Sequence, residues 1–111
     1  MKIELKLTID SLISTTSLLM LVYNQDATLN KQEKVLRSIG FDLADKFDSK
    51  TKALQKKASL FDETKKPKIT LKFHEAWALE IILIELMPYN TNDFRKNETQ
   101  KVINQLNQKL T

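Results

Sequence analysis

Two stretches of the chain, residues 2–24 and residues 68–90, resemble each other over their whole length without a gap. The resemblance is closest at the two ends of the alignment, where the identical pairs are Lys2/Lys68, Ile3/Ile69, Leu5/Leu71, Lys6/Lys72, Tyr23/Tyr89 and Asn24/Asn90. A repeated segment predicts one supersecondary unit built twice, with the two copies burying their apolar faces against each other. Chance similarity in a chain rich in Ile, Leu and Lys is the alternative to a duplication.

Both copies open with apolar and polar residues in strict alternation. The apolar positions are Ile3, Leu5 and Leu7 in the first copy and Ile69, Leu71 and Phe73 in the second. Successive side chains of a strand point to opposite faces, so this period of two predicts a half-buried strand in each copy. Pro67 stands immediately before the second strand and favours a strand start there, because proline has no N–H to donate.

Each predicted strand is followed by a segment that is predicted to be a helix. The first helix is predicted from a cap at Asp10 or Ser11 to about Asn24. The corresponding helix of the second copy is predicted at 75–87, where Pro88 stops it. The segment EIILIEL within this helix has strand propensity as well. A strand would place its two glutamates on opposite faces, so we predict a helix.

Two further helices are predicted, one after each of these. Asn30 is followed three residues later by a glutamate, a capping-box pattern that predicts a helix over residues 30–59. Gly40 falls inside this segment. It either costs about 1 kcal/mol relative to Ala within one continuous helix or ends one helix before another begins. The last helix is predicted at 92–110 or 97–110.

Together these segments predict an α+β fold, mostly helical, in which tandem duplicated strand–helix–helix units share a small two-stranded sheet. A twofold relation between the copies makes the two strands antiparallel. Residues 1–111 are predicted to form a single domain, with the repeats at 2–59 and 68–110 joined by a loop at 60–67. The single glycine argues against a turn-rich β-sandwich, whose tight hairpins need residues with positive φ.

The chain lacks the residue sets that most enzymes and metal sites use. His74 is the only histidine and there is no cysteine, so neither a nitrogen–sulfur metal site nor a Ser–His–Asp triad is expected. The sequence HEAWA begins like the zinc-protease HExxH helix, but Ala78 stands where the second ligand is needed. We therefore expect no enzymatic activity, no cofactor and no metal, and no small-molecule substrate is evident. A small enzyme or ligand-binding domain remains an alternative only if the fold encloses a polar cavity that the sequence does not reveal.

A lysine-rich helix face is the first candidate for a binding surface, in a chain with a net charge of +4. The candidate phosphate-contacting residues are Lys46, Lys50, Lys56 and Lys57. Such a face neutralises phosphates without reading base sequence, because lysine lacks the bidentate fork of arginine. A solvated amphipathic helix is the alternative. The face predicts, at most, non-specific contacts with nucleic acid.

Apolar helices are the second candidate surface. The helix at 75–87 is apolar around its whole circumference, and the first helix is apolar in its second half. A helix of this kind is either central to a core or covered by a partner, and the sequence leaves both alternatives open. If a partner covers them, the candidate interface residues are Trp77, Ile81, Ile84, Leu18 and Leu21, together with the free strand edges.

These features predict a non-catalytic structural or adaptor protein that acts through protein–protein contacts in a homo-oligomer or larger assembly. An accessory component of a phage particle, or of another mobile-element assembly, fits this profile. A nucleic-acid-associated accessory protein is the alternative. No signal-peptide pattern opens the sequence, and its longest uncharged stretch, 11–25, is shorter than the ~20 apolar residues of a transmembrane helix. We therefore expect no membrane contact and a location in the cytoplasm or within an intracellular or viral assembly.

Overall fold

The fold is described from a computed structural model, over residues 1–25, 29–56 and 66–111. These residues form two strands, four α-helices and two 3₁₀ turns. The elements are β1 (Lys2–Lys6), α1 (Ile9–Leu19), a first 3₁₀ turn (Met20–Asn24), α2 (Lys31–Lys56), β2 (Lys68–Lys72), α3 (Phe73–Leu86), a second 3₁₀ turn (Met87–Tyr89) and α4 (Asp93–Leu110). The predicted helix end at 57–59 and most of the predicted loop at 60–67 lie outside the described residues.

The two strands form the antiparallel sheet that the alternating pattern predicts. Ile3 lies opposite Leu71 and Leu5 lies opposite Ile69, and all four side chains are buried. The prediction that Phe73 belongs to the second strand is wrong, because β2 ends at Lys72 and Phe73 begins α3. The order strand, helix, 3₁₀ turn, helix is the same in both halves. This order alone does not confirm that the halves arose by duplication.

Helix α1 lies inside the bundle, packed against α2, α3 and α4. Its buried residues combine leucines with small hydroxyl side chains, namely Ser11, Leu12, Ser14, Thr15, Thr16, Leu18 and Leu19. Buried hydroxyl groups need hydrogen-bond partners. Thr16 Oγ1 lies 2.8 Å from Thr51 Oγ1 on α2. The first part of the uncharged stretch at 11–25 therefore belongs to a helix that neighbouring helices enclose, and α2 supplies a partner for one of its hydroxyls.

At the start of α1, α2 and α4 a side-chain oxygen accepts a hydrogen bond from a backbone N–H group of the first turn. Helix α1 is capped by Thr8, whose Oγ1 accepts from Ser11 N at 3.0 Å, instead of by Asp10 or Ser11 as predicted. The predicted cap of α2 is confirmed, since Asn30 Oδ1 accepts from Glu33 N at 3.1 Å. Thr8 follows the last predicted apolar strand position, Leu7, and was not among the predicted caps.

Helix α2 runs through Gly40 without a break, which decides between the two alternatives for this residue. Gly40 is buried where α2 passes α3 and the first 3₁₀ turn. A Cβ atom added at this position would lie 3.1 Å from Ile82 Cδ1 and 3.5 Å from Val22 Cγ1. The glycine therefore permits a close helix–helix approach, and its conformation is ordinary helix.

Replacement of Gly40 by alanine is expected to stabilise the fold by about 0.5–1 kcal/mol, the gain in helix propensity. The nearest atom, Ile82 Cδ1, is the end of a side chain beside a cavity of about 110 Å³, into which it can move. Gly40→Leu, in contrast, is expected to destabilise by about 1–3 kcal/mol through overpacking. Urea unfolding of both variants checks this. A loss of stability in Gly40→Ala would show that the contact with Ile82 cannot relax.

Candidate functional site

Helix α3 has apolar residues on two opposite faces, and the other described residues cover only one of them. The covered face points into the core and carries Ala76, Ala78, Leu79, Ile82, Leu83 and Leu86. The uncovered face carries Phe73, Trp77, Ile81 and Ile84, here called the α3 stripe. Phe73, Trp77 and Ile84 are 43%, 47% and 53% exposed, and Ile81 is half-buried. Their spacing of four, four and three residues places them in one line along the helix.

The α3 stripe has the composition of a protein contact surface. Exposed apolar side chains scattered singly are ordinary, but a contiguous line of large ones marks an interaction site. Trp77 is the only tryptophan of the chain, and its indole N–H donates to no described residue. Tryptophan is the residue type most enriched among the side chains that dominate binding energy at interfaces.

Three of the five predicted interface residues thus lie together. Trp77, Ile81 and Ile84 share the α3 stripe, whereas Leu18 is buried in the core and Leu21 is half-buried beside a groove elsewhere. Phe73 completes the stripe and was missed, because it also fits the alternation of the preceding strand. Its distance of four residues from Trp77 is the sequence signal that identifies it.

The strand edges are partly closed by side chains from the helices. At β1, Gln105 pairs with the backbone of Lys6, accepting from its N–H at 2.8 Å and donating to its carbonyl at 3.0 Å. At β2, Lys46 Nζ donates to the carbonyl of Thr70 at 2.7 Å. The exposed residues of both strands are mostly lysines, which discourage the addition of another strand. The edges are therefore weaker contact surfaces than the α3 stripe.

The lysine face of α2 is interrupted by bonds within the protein. The ammonium group of Lys46 contacts Thr70, Lys50 is half-buried, and Lys56 is exposed at the end of the helix. The same helix carries Asp48, whose Oδ2 lies 2.9 Å from Lys52 Nζ. The fourth candidate, Lys57, lies outside the described residues.

A groove runs beside the two 3₁₀ turns. One part, of about 390 Å³, is lined by residues that include Leu86 and Arg37, and the other, of about 230 Å³, by residues that include Arg95. Leu21 and Tyr89 line both parts, so the two parts adjoin at these residues. Sequence reasoning missed this groove, because its residues come from four separate segments of the chain.

The carboxylate of Glu98 on α4 is buried among hydrogen-bond donors. Its Oε2 accepts from Ser11 Oγ at 2.8 Å and its Oε1 from Lys101 Nζ at 3.0 Å. These bonds hold the pKa of Glu98 below its ordinary value, the Ser11 bond most strongly, against the opposing effect of burial. The arrangement connects the start of α1 to α4 and engages both carboxylate oxygens within the protein, so we interpret it as structural.

A second residue with a shifted pKa, Tyr23, lies on the surface. The hydroxyl of Tyr23 donates to Asp45, and its ring stacks on Phe41 with the ring centroids 5.4 Å apart. The bond to Asp45, followed by desolvation and by the charges of nearby aspartates, raises the pKa of Tyr23 to about 12. A tyrosine held in its protonated form fastens the first 3₁₀ turn to α2.

Neither a metal site nor a membrane span is found in the part of the chain that the structure describes. No group of three His, Asp or Glu side chains is placed to hold a metal ion there. Among the same residues no helix is both long and apolar enough to cross a membrane. Comparison with models of protein families, with curated proteins and with solved structures found no match.

Replacement of Glu98 by glutamine is expected to destabilise the protein at pH 7 by about 1–3 kcal/mol, because a charge-assisted pair becomes a neutral one. The pKa of Glu98 is lower in the folded state, so its contribution is present above the unfolded pKa and is lost as pH falls through the folded value. Urea unfolding from pH 7 to pH 3 should show a smaller decrease in the free energy of unfolding for Glu98→Gln than for the parent. Equal decreases in the variant and the parent would contradict this role.

Proposed function

We propose that the protein is a non-catalytic assembly component that acts through protein–protein contact, with the α3 stripe as the contact surface and a second copy of the chain as its first partner. One observation carries the proposal, namely a single line of large apolar side chains on α3, of which three are exposed and one, Ile81, is half-buried. Removal of such side chains from water is the main favourable term in association, at about 25 cal/mol per Å² of apolar surface.

The stripe is held in a fixed position, which favours binding. The opposite face of α3 packs into the core through residues such as Leu79 and Leu83, which are fully buried. Binding to a rigid surface loses less conformational entropy than binding to a mobile one. The spacing of the stripe is that of an amphipathic helix that meets another helix, with anchors about one turn apart.

A second copy is the simplest partner for this surface. Twofold dimers use the same patch on both subunits, so a self-complementary apolar line needs no other protein. Trp77 and Ile84 of one copy would then pack against the same residues of the other. Glu80, His74 and Glu85 flank the stripe by helical position and would form the polar rim.

Two finer parts of the hypothesis concern origin and setting. The matching of β1 with β2, each followed by a helix and a 3₁₀ turn, supports an origin of the two halves by duplication. An accessory role in a phage particle or another mobile-element assembly is the setting that we propose. Recovery of the chain in fixed stoichiometry from purified particles would support this setting, and its absence from them would contradict it.

Binding of nucleic acid through the lysine face of α2 is the alternative. The engagement of Lys46 with Thr70 and the ion pair of Lys52 with Asp48 make it the weaker hypothesis. It requires an affinity for DNA or RNA that falls steeply with salt and that decreases when Lys50 and Lys56 are changed to glutamine. Unchanged binding in that double variant would eliminate it.

Ile84→Lys is expected to abolish self-association while the chain stays folded, because Ile84 is half exposed and the lysine can remain in water in the monomer. Light scattering should give a multiple of 12.9 kDa for the parent and about 12.9 kDa for the variant, with equal circular dichroism.

Two control variants locate the effect. Asn107→Lys adds the same charge at an exposed position on α4 and should leave the assembly intact, whereas Leu83→Lys buries a charge next to Ile84 and should unfold the chain. A monomeric parent at all concentrations, or an assembled Ile84→Lys variant, would contradict the proposal.

A further inference from the structure

Both arginines of the chain line the same groove. Of 18 basic residues only Arg37 and Arg95 are arginine, and they come from α2 and α4. Arg37 lines the larger part of the groove and Arg95 the smaller part. Arginine differs from lysine in presenting a planar fork of donors that matches the oxygens of a carboxylate or phosphate. No lysine is among the described residues that line the two parts of the groove, so general basicity does not explain this placement.

Arg95 marks the more positive end of the groove. Its guanidinium makes one long hydrogen bond, 3.4 Å from Nη1 to Ser14 Oγ, and no ion pair with any carboxylate of the described residues. No acidic residue is among the described residues that line the two parts of the groove. Arg37 differs in this respect, because it also borders a neighbouring cavity that Glu33 and Glu85 line. An anion is therefore attracted most strongly to the Arg95 end.

The remaining lining offers both apolar and polar contacts. Leu21, Leu86 and Tyr89, which is 71% exposed, supply apolar surface in the larger part, which Asn24 and Gln25 also line. Near Arg95 the lining includes the exposed hydroxyls of Ser17 and Thr91. Sites for small molecules are mostly apolar, with a few polar groups that fix the orientation, and the volume of about 390 Å³ lies in their range of ~300–1,000 Å³.

We propose that this groove binds a small organic anion whose carboxylate or phosphate contacts Arg95 and whose apolar or aromatic body lies on Leu21, Leu86 and Tyr89. The site is separate from the α3 stripe, so this binding proposal does not depend on the proposed assembly function. It adds a ligand to a chain whose sequence predicts none.

The test is a titration of the full ¹⁵N-labelled chain, followed by NMR chemical shifts, with phenyl phosphate, phenylacetate and the uncharged benzyl alcohol. Saturable shifts are expected at Leu21, Tyr89, Thr91 and Arg95 with one or both anions, and the tighter of the two identifies the natural head group. Benzyl alcohol should bind roughly tenfold more weakly or not at all, because its single neutral oxygen cannot replace the anionic oxygens that pair with the guanidinium.

Variants separate this site from general electrostatics. Arg95→Gln should weaken binding of the anion roughly tenfold, whereas Lys109→Gln, which removes the same charge near the other end of α4, should leave it unchanged. Tyr89→Ala should also weaken binding, and its exposure makes loss of folding unexpected.

Three results would overturn the proposal. The first is equal binding by the Arg95→Gln variant and the parent, and the second is equal weakening by Arg95→Gln and Lys109→Gln. The third is a set of shifts that falls on the α3 stripe and disappears in Ile84→Lys, since the probe would then occupy the stripe instead of the groove.

Discussion

The pairing of β1 with β2 is the contact on which the arrangement of the helices depends. It joins the first residues of the chain to a segment that begins only at Lys68, and both strands lead almost directly into helices. Helix α3 begins at the residue after β2, so its direction is set by the strand. The helices cover one face of the sheet, and side chains from α2 and α4 contact its edges through Lys46 and Gln105.

This arrangement explains why α3 keeps an exposed apolar face. Helix α1 is enclosed by three other helices and can carry small hydroxyl side chains, because neighbouring helices supply partners to some of them. Helix α3 packs closely against α2 at Gly40 and against α4, and its remaining face is left without a neighbour among the described residues. Large apolar residues on that face contribute little to the fold of one chain. Their presence is accounted for if a second chain covers them.

Much of this fold follows from local patterns in the sequence. Alternation predicts both strands, helical spacing predicts the four helices, and Asn30 predicts a cap that the structure confirms. Phe73 was assigned to the strand instead of the helix, because it fits both patterns. It continues the alternation of β2, and it also lies four residues before Trp77 on α3. Leu18 and Ile84 are equally apolar in sequence, and only tertiary packing determines that the first is buried and the second exposed. The groove was not predictable, since Arg37 and Arg95 meet it from different helices and no local pattern relates them.

The central claim, that a partner covers the α3 stripe, is tested most directly by the fluorescence of Trp77, the only tryptophan. Its indole is 47% exposed in one chain and would be buried in an assembly. Emission and acrylamide quenching should be measured over a dilution series of the full chain. We expect a blue-shifted, weakly quenched signal at high concentration that becomes red-shifted and strongly quenched on dilution. An emission that indicates a partly water-exposed indole at every concentration would contradict self-association through this face.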